Sequence, residues 1–306
     1  MHNDGDDDFT QHTRFDFPPL GPELEPFDRQ LFVVGTCNGL LCLYNELSQY
    51  KIDFYFLWNP CVRRFVRLPS PNVTFRTNRD CKVSIGFGVD AKTNDYKVVR
   101  LVNVLNNPNI PKDRPVVEVY SLATGEWRRV AALPPICTPV RDSKPQRFVN
   151  KALHWLAFRR SDDPKTHSFI LVFDLEDEAF REILLPEVPN SPSASVSVYG
   201  NSIAFSQRMS DNLNIWVMKE YGVAFSRWTK VCTVSDHGLG EVIPYPVGFR
   251  RNGEVVLIDQ GQLVSMDLEN QKKKDLLTNS RRSYFVDSYV ESQVLLDKAA
   301  NVAVTY

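Results

Sequence analysis

One pattern recurs along this chain and leaves few folds open to it. The segments "FLWNPCVRRFVRLP", "VEVYSLATGEWRRVAALP", "ILVFDLEDEAFREILLP", "NIWVMKEYGVAFSRWTKV" and "LVSMDLENQKKKDLLT" each read as a strand, a polar turn and a second strand. Trp58, Tyr120, Phe173, Trp216 and Met266 fall at equivalent places in them. Before each lies another strand pair: "FVVGTCNGLLCLY", "IGFGVDAKTNDYKVVRLV", "RFVNKALHWLAF", "SVYGNSIAFSQ" and "VGFRRNGEVVLIDQ". One unit is therefore four short antiparallel strands. Such units at a period of roughly 40 to 50 residues predict the blades of a β-propeller.

A four-stranded sheet cannot bury both faces alone. Set radially, each blade covers its neighbours and only short strand edges remain. The repeated large side chains are thus expected to be buried between blades. Five units are readable. "TRFDFPPL" near the start and "SYFVDSYVESQVLL" near the end are strands without a unit of their own. Joined, they predict a sixth blade, closed by pairing of the region Phe15 to Phe17 with the C-terminal strands. The expectation is an all-β propeller of about six blades over residues 15–306, preceded by a disordered acidic segment, residues 1–14. No apolar stripe at helical spacing, with a cap at its start, interrupts this pattern.

Composition narrows the function classes. The 306 residues carry a net charge of −1, with 43% hydrophobic and 24% charged residues, as in soluble globular proteins. Near-neutral charge argues against bulk nucleic-acid or acidic-membrane binding. No apolar run approaches the roughly 18 residues of a spanning helix. The opening "MHNDGDDDFT" is acidic and unlike a secretory signal. A reducing compartment, cytoplasmic or nuclear, is the corresponding expectation.

The residues capable of chemistry do not assemble into a motif. Cys37, Cys42, Cys61, Cys81, Cys137 and Cys232 include no Cys-x-x-Cys and no paired His spacing for zinc. They read chiefly as ordinary buried thiols, with disulfides or a reactive thiol as the alternative. Gly86-Phe87-Gly88 has no helix after it to form a phosphate cradle. It reads instead as room for close blade packing. Asp95 and Lys97 offer an ion pair, which if exposed would contribute little. His154, on alternating strand positions, reads as a hydrogen-bonded core histidine. His2, His12, His167 and His237 lie in polar segments without a nucleophile. Asn72 heads an Asn-x-Thr acceptor pattern. Lys272 to Lys274 read as a solvated tip, with a nuclear-import signal as the alternative. No catalytic residue, metal site or cofactor site is assigned.

Loop lengths point to a binding face. In a four-stranded antiparallel blade, the first and third turns lie at one end. The second loop and the link to the next blade lie at the other. Here the third turns are short and alike, "NPCVRR", "LATGE", "LEDEA" and "LENQK". The second loops, "NELSQYK", "NVLNNPNIPKDRP", "RRSDDPKTHS" and "SQRMSDN", are longer and unlike, as are the links. They are either tolerated insertions or a recognition surface held by a rigid scaffold. Arginine is a favoured interface anchor, so Arg114, Arg159, Arg160 and Arg208 are the candidate partner-binding residues.

The ordered series "GTCNGLLCL", "LWNPCVRRFVRLP", "IGFGVDAKTNDYKVVRL", "VEVYSLATGEWR", "VNKALHWLAF", "ILVFDLEDEAFREI" and "YVESQVLL" resembles the plant F-box-associated domain of type 1, a kelch-like propeller. The resemblance covers roughly residues 30 to 295. It implies the substrate-recognition part of a Skp–cullin–F-box ubiquitin ligase, binding a target protein for ubiquitination. The F-box that docks on a Skp-type adaptor is not read before Phe32, where the residues are acidic and the first blade is shortened. Adaptor binding is therefore expected only where an F-box lies upstream. A stand-alone or decoy interaction propeller remains the alternative, and a propeller lectin or enzyme a weaker one.

Overall fold

The computed structural model describes residues 31–47, 52–73, 81–104, 114–139, 146–159, 168–188, 193–221, 227–235, 242–276, 285, 287, 289–296 and 304–305. Their strands form five antiparallel sheets, each following chain order from the innermost strand outwards. The first is β1 (Leu31–Cys37), β2 (Leu40–Leu47), β3 (Ile52–Asn59) and β4 (Arg64–Arg67). The second is β5 (Cys81–Asp90), β6 (Asp95–Val104), β7 (Val116–Ser121) and β8 (Glu126–Arg129). In the third, β9 (Cys137–Pro139) and β10 (Arg147–Val149) both pair with β11 (Ala152–Arg159), so its inner strand is in two pieces. β12 (Ser168–Asp174) and β13 (Phe180–Leu184) complete it. The fourth is β14 (Ala194–Tyr199), β15 (Ser202–Arg208), β16 (Asn212–Met218) and β17 (Trp228–Ser235). The fifth is β18 (Tyr245–Phe249), β19 (Val255–Asp259), β20 (Gln262–Met266) and β21 (Lys273–Asp275).

Successive innermost strands touch, β1 to β5, β5 to β10, β10 to β14 and β14 to β18, which sets the sheets around a common axis. This is a propeller of five described blades, not six. Its C-terminal strand β22 (Val304–Thr305) does not open a further blade. It adds to the outer edge of the first, pairing Val304 with Phe65. The expected pairing of Phe15 to Phe17, and the disordered segment 1–14, lie outside the described residues. Ahead of β22, the chain returns over the first blade. Asn59 Nδ2 donates to the carbonyls of Ser292 and Val294, each at 3.0 Å, and Leu296 is fully buried in the cluster between the first two blades. The C-terminus thus secures the first blade from its turn to its outer edge.

Strand alternation explains why the blades need one another. On β6, Val98, Arg100 and Val102 are buried toward the first blade, while Val99 and Leu101 are buried in the cluster shared with the third. Successive side chains point to opposite faces, so a strand covered on both sides reads as a continuous apolar run. Equivalent clusters join the third blade to the fourth and the fourth to the fifth. Gly86 and Gly88 sit where blades approach most closely. A Cβ on Gly88 would lie 2.4 Å from Phe148 Cδ2 and one on Gly86 2.6 Å from Trp155 Cζ2. This is the packing role the sequence predicts for them.

The repeated turn is a single structure used four times. Trp58 pairs with Phe65, Tyr120 with Trp127, Phe173 with Phe180 and Met266 with Lys273, at one offset. Trp58, Tyr120, Phe173, Trp216 and Met266 are all buried, as expected. The residue after each of the four turn-heading side chains caps its turn. Asn59 Oδ1 accepts from the Cys61 amide, Ser121 Oγ from Thr124, and Asp174 and Asp267 each from two amides. Asn, Asp and Ser favour turns by such local bonds. Each turn then has a left-handed residue at the same place, Arg63, Gly125, Glu178 or Gln271, with φ of 52°, 75°, 51° and 56°. Trp216 breaks the series: its hairpin is longer and Trp216 pairs with Lys230.

Candidate partner-binding face

The antiparallel order gives the propeller two unlike ends. At one, here the hairpin end, lie the first and third turns of each blade. At the other, the link end, lie the second loops and the links between blades.

At the hairpin end of the second and third blades, charged groups join one blade to the other. Lys97 was expected to pair with Asp95, but its ammonium turns the other way. It donates to Asp90 Oδ2 at 2.8 Å, to Leu175 O at 2.9 Å and to Glu178 Oε1 at 3.1 Å. Asp95 instead accepts from Ser121 Oγ at 2.5 Å and from the Ala123 amide. Arg128 clasps both Glu178 oxygens, and Lys92 reaches Asp177 at 2.6 Å. Burial works to raise the Glu178 carboxyl, but the hydrogen bonds from Arg128 and Lys97 outweigh it and hold it below the usual range. The second and third blades are tied by this network.

His154 is a core histidine, as its sequence context predicts. Its Nδ1 lies 3.1 Å from Arg147 O and its Nε2 2.6 Å from Tyr221 Oη, which also receives a bond from Arg181. With Arg181 donating to Tyr221, the phenol donates to Nε2 and Nδ1–H donates to the carbonyl. Burial, reinforced by the nearby Arg181 charge, pushes the imidazole down to about 3. It is therefore neutral near pH 7. Cys37, Cys42, Cys137 and Cys232 are buried free thiols, with burial pushing Cys37 and Cys137 up to about 12. Cys61 is an exposed free thiol. Among the described residues no three His, Cys, Asp or Glu side chains are grouped to hold a metal ion.

The link end is different in kind. Leu133, Ile136, Leu184, Val242 and Tyr245 are large apolar side chains that stand exposed there, at strand ends or in links. Arg114, just before β7, is exposed and donates to Pro134 O at 2.8 Å. Arg159, closing β11, pairs with Glu182 and sits 4.9 Å over the Phe169 ring. Arg208, closing β15, donates to Ile243 O at 2.7 Å and covers Tyr245 at 4.1 Å. Arg160 lies outside the described residues. The topology thus places the three described candidates at one end. Arg114 and Arg159 flank the link between the second and third blades, while Arg208 is at the fourth-to-fifth link. The second loops vary more than their sequences suggest. β15 and β16 extend until only Met209 to Asp211 separate them, and β19 and β20 join through Gln260 and Gly261.

The exposed apolar residues were not singled out in the sequence. Their signal is "AALPPIC", where Leu133 and Ile136 stand among prolines in a link and have no strand alternation to bury them.

These features define a propeller whose blades are built for packing and whose link end carries apolar and cationic side chains. The chain belongs to the F-box associated beta propeller domain family, which it matches over residues 17–304. Among relatives in Arabidopsis thaliana, it is 29% identical over 292 residues to the F-box protein At3g07870, covering 83% of this chain and 67% of that protein. It is 27% identical to the F-box protein CPR1, covering 86% and 68%. It is 28% identical to the F-box/kelch-repeat protein At3g23880, covering 66% of this chain and 52% of that protein.

Proposed function

We propose that this chain is the target-recognition propeller of a Skp–cullin–F-box type ubiquitin ligase, a non-catalytic part that captures a protein for ubiquitination through its link end. The observation that carries this reading is the concentration of exposed apolar side chains at the link end, which holds five of the seven described. Of the large hydrophobic residues exposed in the structure, Leu133, Ile136, Leu184, Val242 and Tyr245 are at the link end. Val290 and Leu295 belong to the C-terminal return, which passes Gly39 and Asn59 at the hairpin end of the first blade. Apolar surface beside arginine is the composition of interaction sites. Family membership supports the same reading, because the relatives carry F-box names. Arg114, Arg159, Arg160 and Arg208 are its proposed partner contacts. The Skp-type adaptor is recruited by an F-box rather than by the propeller, and the ligase acts in the cytoplasm or nucleus.

The test is site-specific photocrosslinking in Arabidopsis extract. A benzoylphenylalanine at position 133, at the link end, should capture a discrete protein that the same group at position 177, at the hairpin end, does not. Arg159→Glu with Arg160→Glu should weaken that capture by more than the small melting loss from setting a carboxylate beside Glu182 can account for. Capture from position 177 alone would overturn the placement. Probing the same eluates for the adaptor and for ubiquitin conjugates separates a ligase component from a stand-alone binding propeller.

A further inference from the structure

Among its described residues the link end is unevenly charged, and the unevenness says what kind of segment it fits. On its first three blades the described side chains are cationic. Arg67 ends β4, Lys82 lies near the start of β5, Arg114 precedes β7, Arg129 ends β8 and Arg159 ends β11. Among side chains described at that end of these blades, the carboxylates are Glu182, which Arg159 takes, and Glu118, which is buried against Arg100. Past the third blade more of the described charges at this end are acidic: Glu187, Asp211 and Asp275 are exposed, Asp259 is paired with Lys273, and Arg208 is the cation at the fourth-to-fifth link. The cationic half also holds exposed Leu133 and Ile136, in the link that joins Arg129 to β9.

Several of these cations are held in place. Arg67 lies 4.3 Å over the Phe54 ring and Arg159 4.9 Å over Phe169. The Arg114 bond to Pro134 O fixes the link beside Leu133. A guanidinium anchored in this way loses little freedom when it meets a carboxylate.

We propose that residues 129–137, the described start of the link between the second and third blades, with Arg114 beside them, are the docking site for an acidic segment of the target protein that carries large apolar side chains. Carboxylates of that segment meet Arg114 and Arg129, and its apolar side chains pack on Leu133 and Ile136. This deepens the reading of the link end as the target-binding face and rests on it.

The test uses the full chain and three fluorescein-labelled peptides of equal length. One combines Asp and Glu with a Phe and a Leu. The second replaces its acids with Lys, and the third replaces Phe and Leu with Ser. By fluorescence anisotropy the first should bind saturably and best, and lose affinity as salt is raised, because the pairs are exposed and screened. Arg129→Glu should weaken it about tenfold or more. Leu133→Ser should bring the first peptide down to the level of the third. Each variant should melt as the parent does. Equal or tighter binding of the lysine peptide, or no saturable binding by the acidic one, overturns the proposal. Unchanged affinity in both variants also overturns it, since the site would lie elsewhere. If position 133 still crosslinks a target while the acidic peptide fails, the face stands and the acidic chemistry falls. Loss of both removes the face as well.

Discussion

Arg100 Nη1 stands 2.6 Å from Glu118 Oε2, with both side chains almost wholly out of solvent. The pair does more than neutralise itself. Arg100 Nε donates to Tyr55 Oη at 2.9 Å and its Nη1 to Val73 O, while Glu118 Oε1 accepts from the Val73 amide. One ion pair in the second blade therefore fixes a strand of the first blade and the link between the two. Removing Glu118 leaves a buried guanidinium without its charge partner, an error that costs about 3 to 5 kcal/mol. Glu118→Ala should lower stability by that amount in urea unfolding. Replacing Arg100 and Glu118 together by apolar residues of similar volume should cost distinctly less than Glu118→Ala. If the double replacement costs as much as the single one, the pair is supplying net stability and not merely avoiding an unpaired charge.

The joint between the second and third blades should make stability depend on pH on the acid side. Burial works to raise the carboxyls of Asp90 and Glu178, but hydrogen bonds from Lys97, and for Glu178 first from Arg128, leave both below their ordinary values. A carboxyl depressed in the folded state contributes stability that is present above its unfolded value, about 4. That contribution is lost as pH falls through the folded value. The melting temperature should therefore fall from about pH 5 downward, and Glu178→Gln should flatten that fall while lowering stability near neutrality. Equal slopes in the parent and Glu178→Gln below pH 5 would remove this network from the acid response. Lys97 also donates to Leu175 O, so Lys97→Met should weaken the joint at every pH.

Much of this architecture was readable in the residues because the repeat is local. Trp58, Tyr120, Phe173 and Met266 head one turn chemistry, and a capping Asn, Ser or Asp follows each at the next position. Such bonds span two or three residues, so they survive in the sequence as a pattern. What was misjudged depends on distant parts of the chain. The count of blades turns on where β22 pairs, and its partner Phe65 lies far away in the chain. Lys97 was matched to Asp95 by proximity in sequence, whereas it is held by Asp90 across its hairpin together with Leu175 O and Glu178 from the third blade. At the link end, arginine content singled out Arg114, Arg159 and Arg208. The exposed Leu133 and Ile136 escaped, since an apolar residue in a link looks like any strand residue until its neighbours are known.

The glycines give a last test, because two of them oppose different physical costs. Gly88 sits in a strand with its absent Cβ directed into the third blade, 2.4 Å from Phe148 Cδ2 and 2.7 Å from Leu175 Cδ1. Leu175 is fully buried, so the neighbours have little room to give way. Gly88→Ala should thus cost about 1 to 3 kcal/mol through overpacking. At Gly200 a methyl group would meet nothing within 4 Å, but the backbone there has a φ of +56°. Gly200→Ala is therefore strained only by its backbone, a cost of about 1 kcal/mol. Asn tolerates that conformation better than Ala, so Gly200→Asn should recover part of the loss, while Gly88→Asn should be worse than Gly88→Ala. Urea unfolding of the four variants checks the order. Rescue by Asn at position 88, or equal losses for Ala and Asn at position 200, would mean that steric contact and backbone strain are assigned to the wrong glycines.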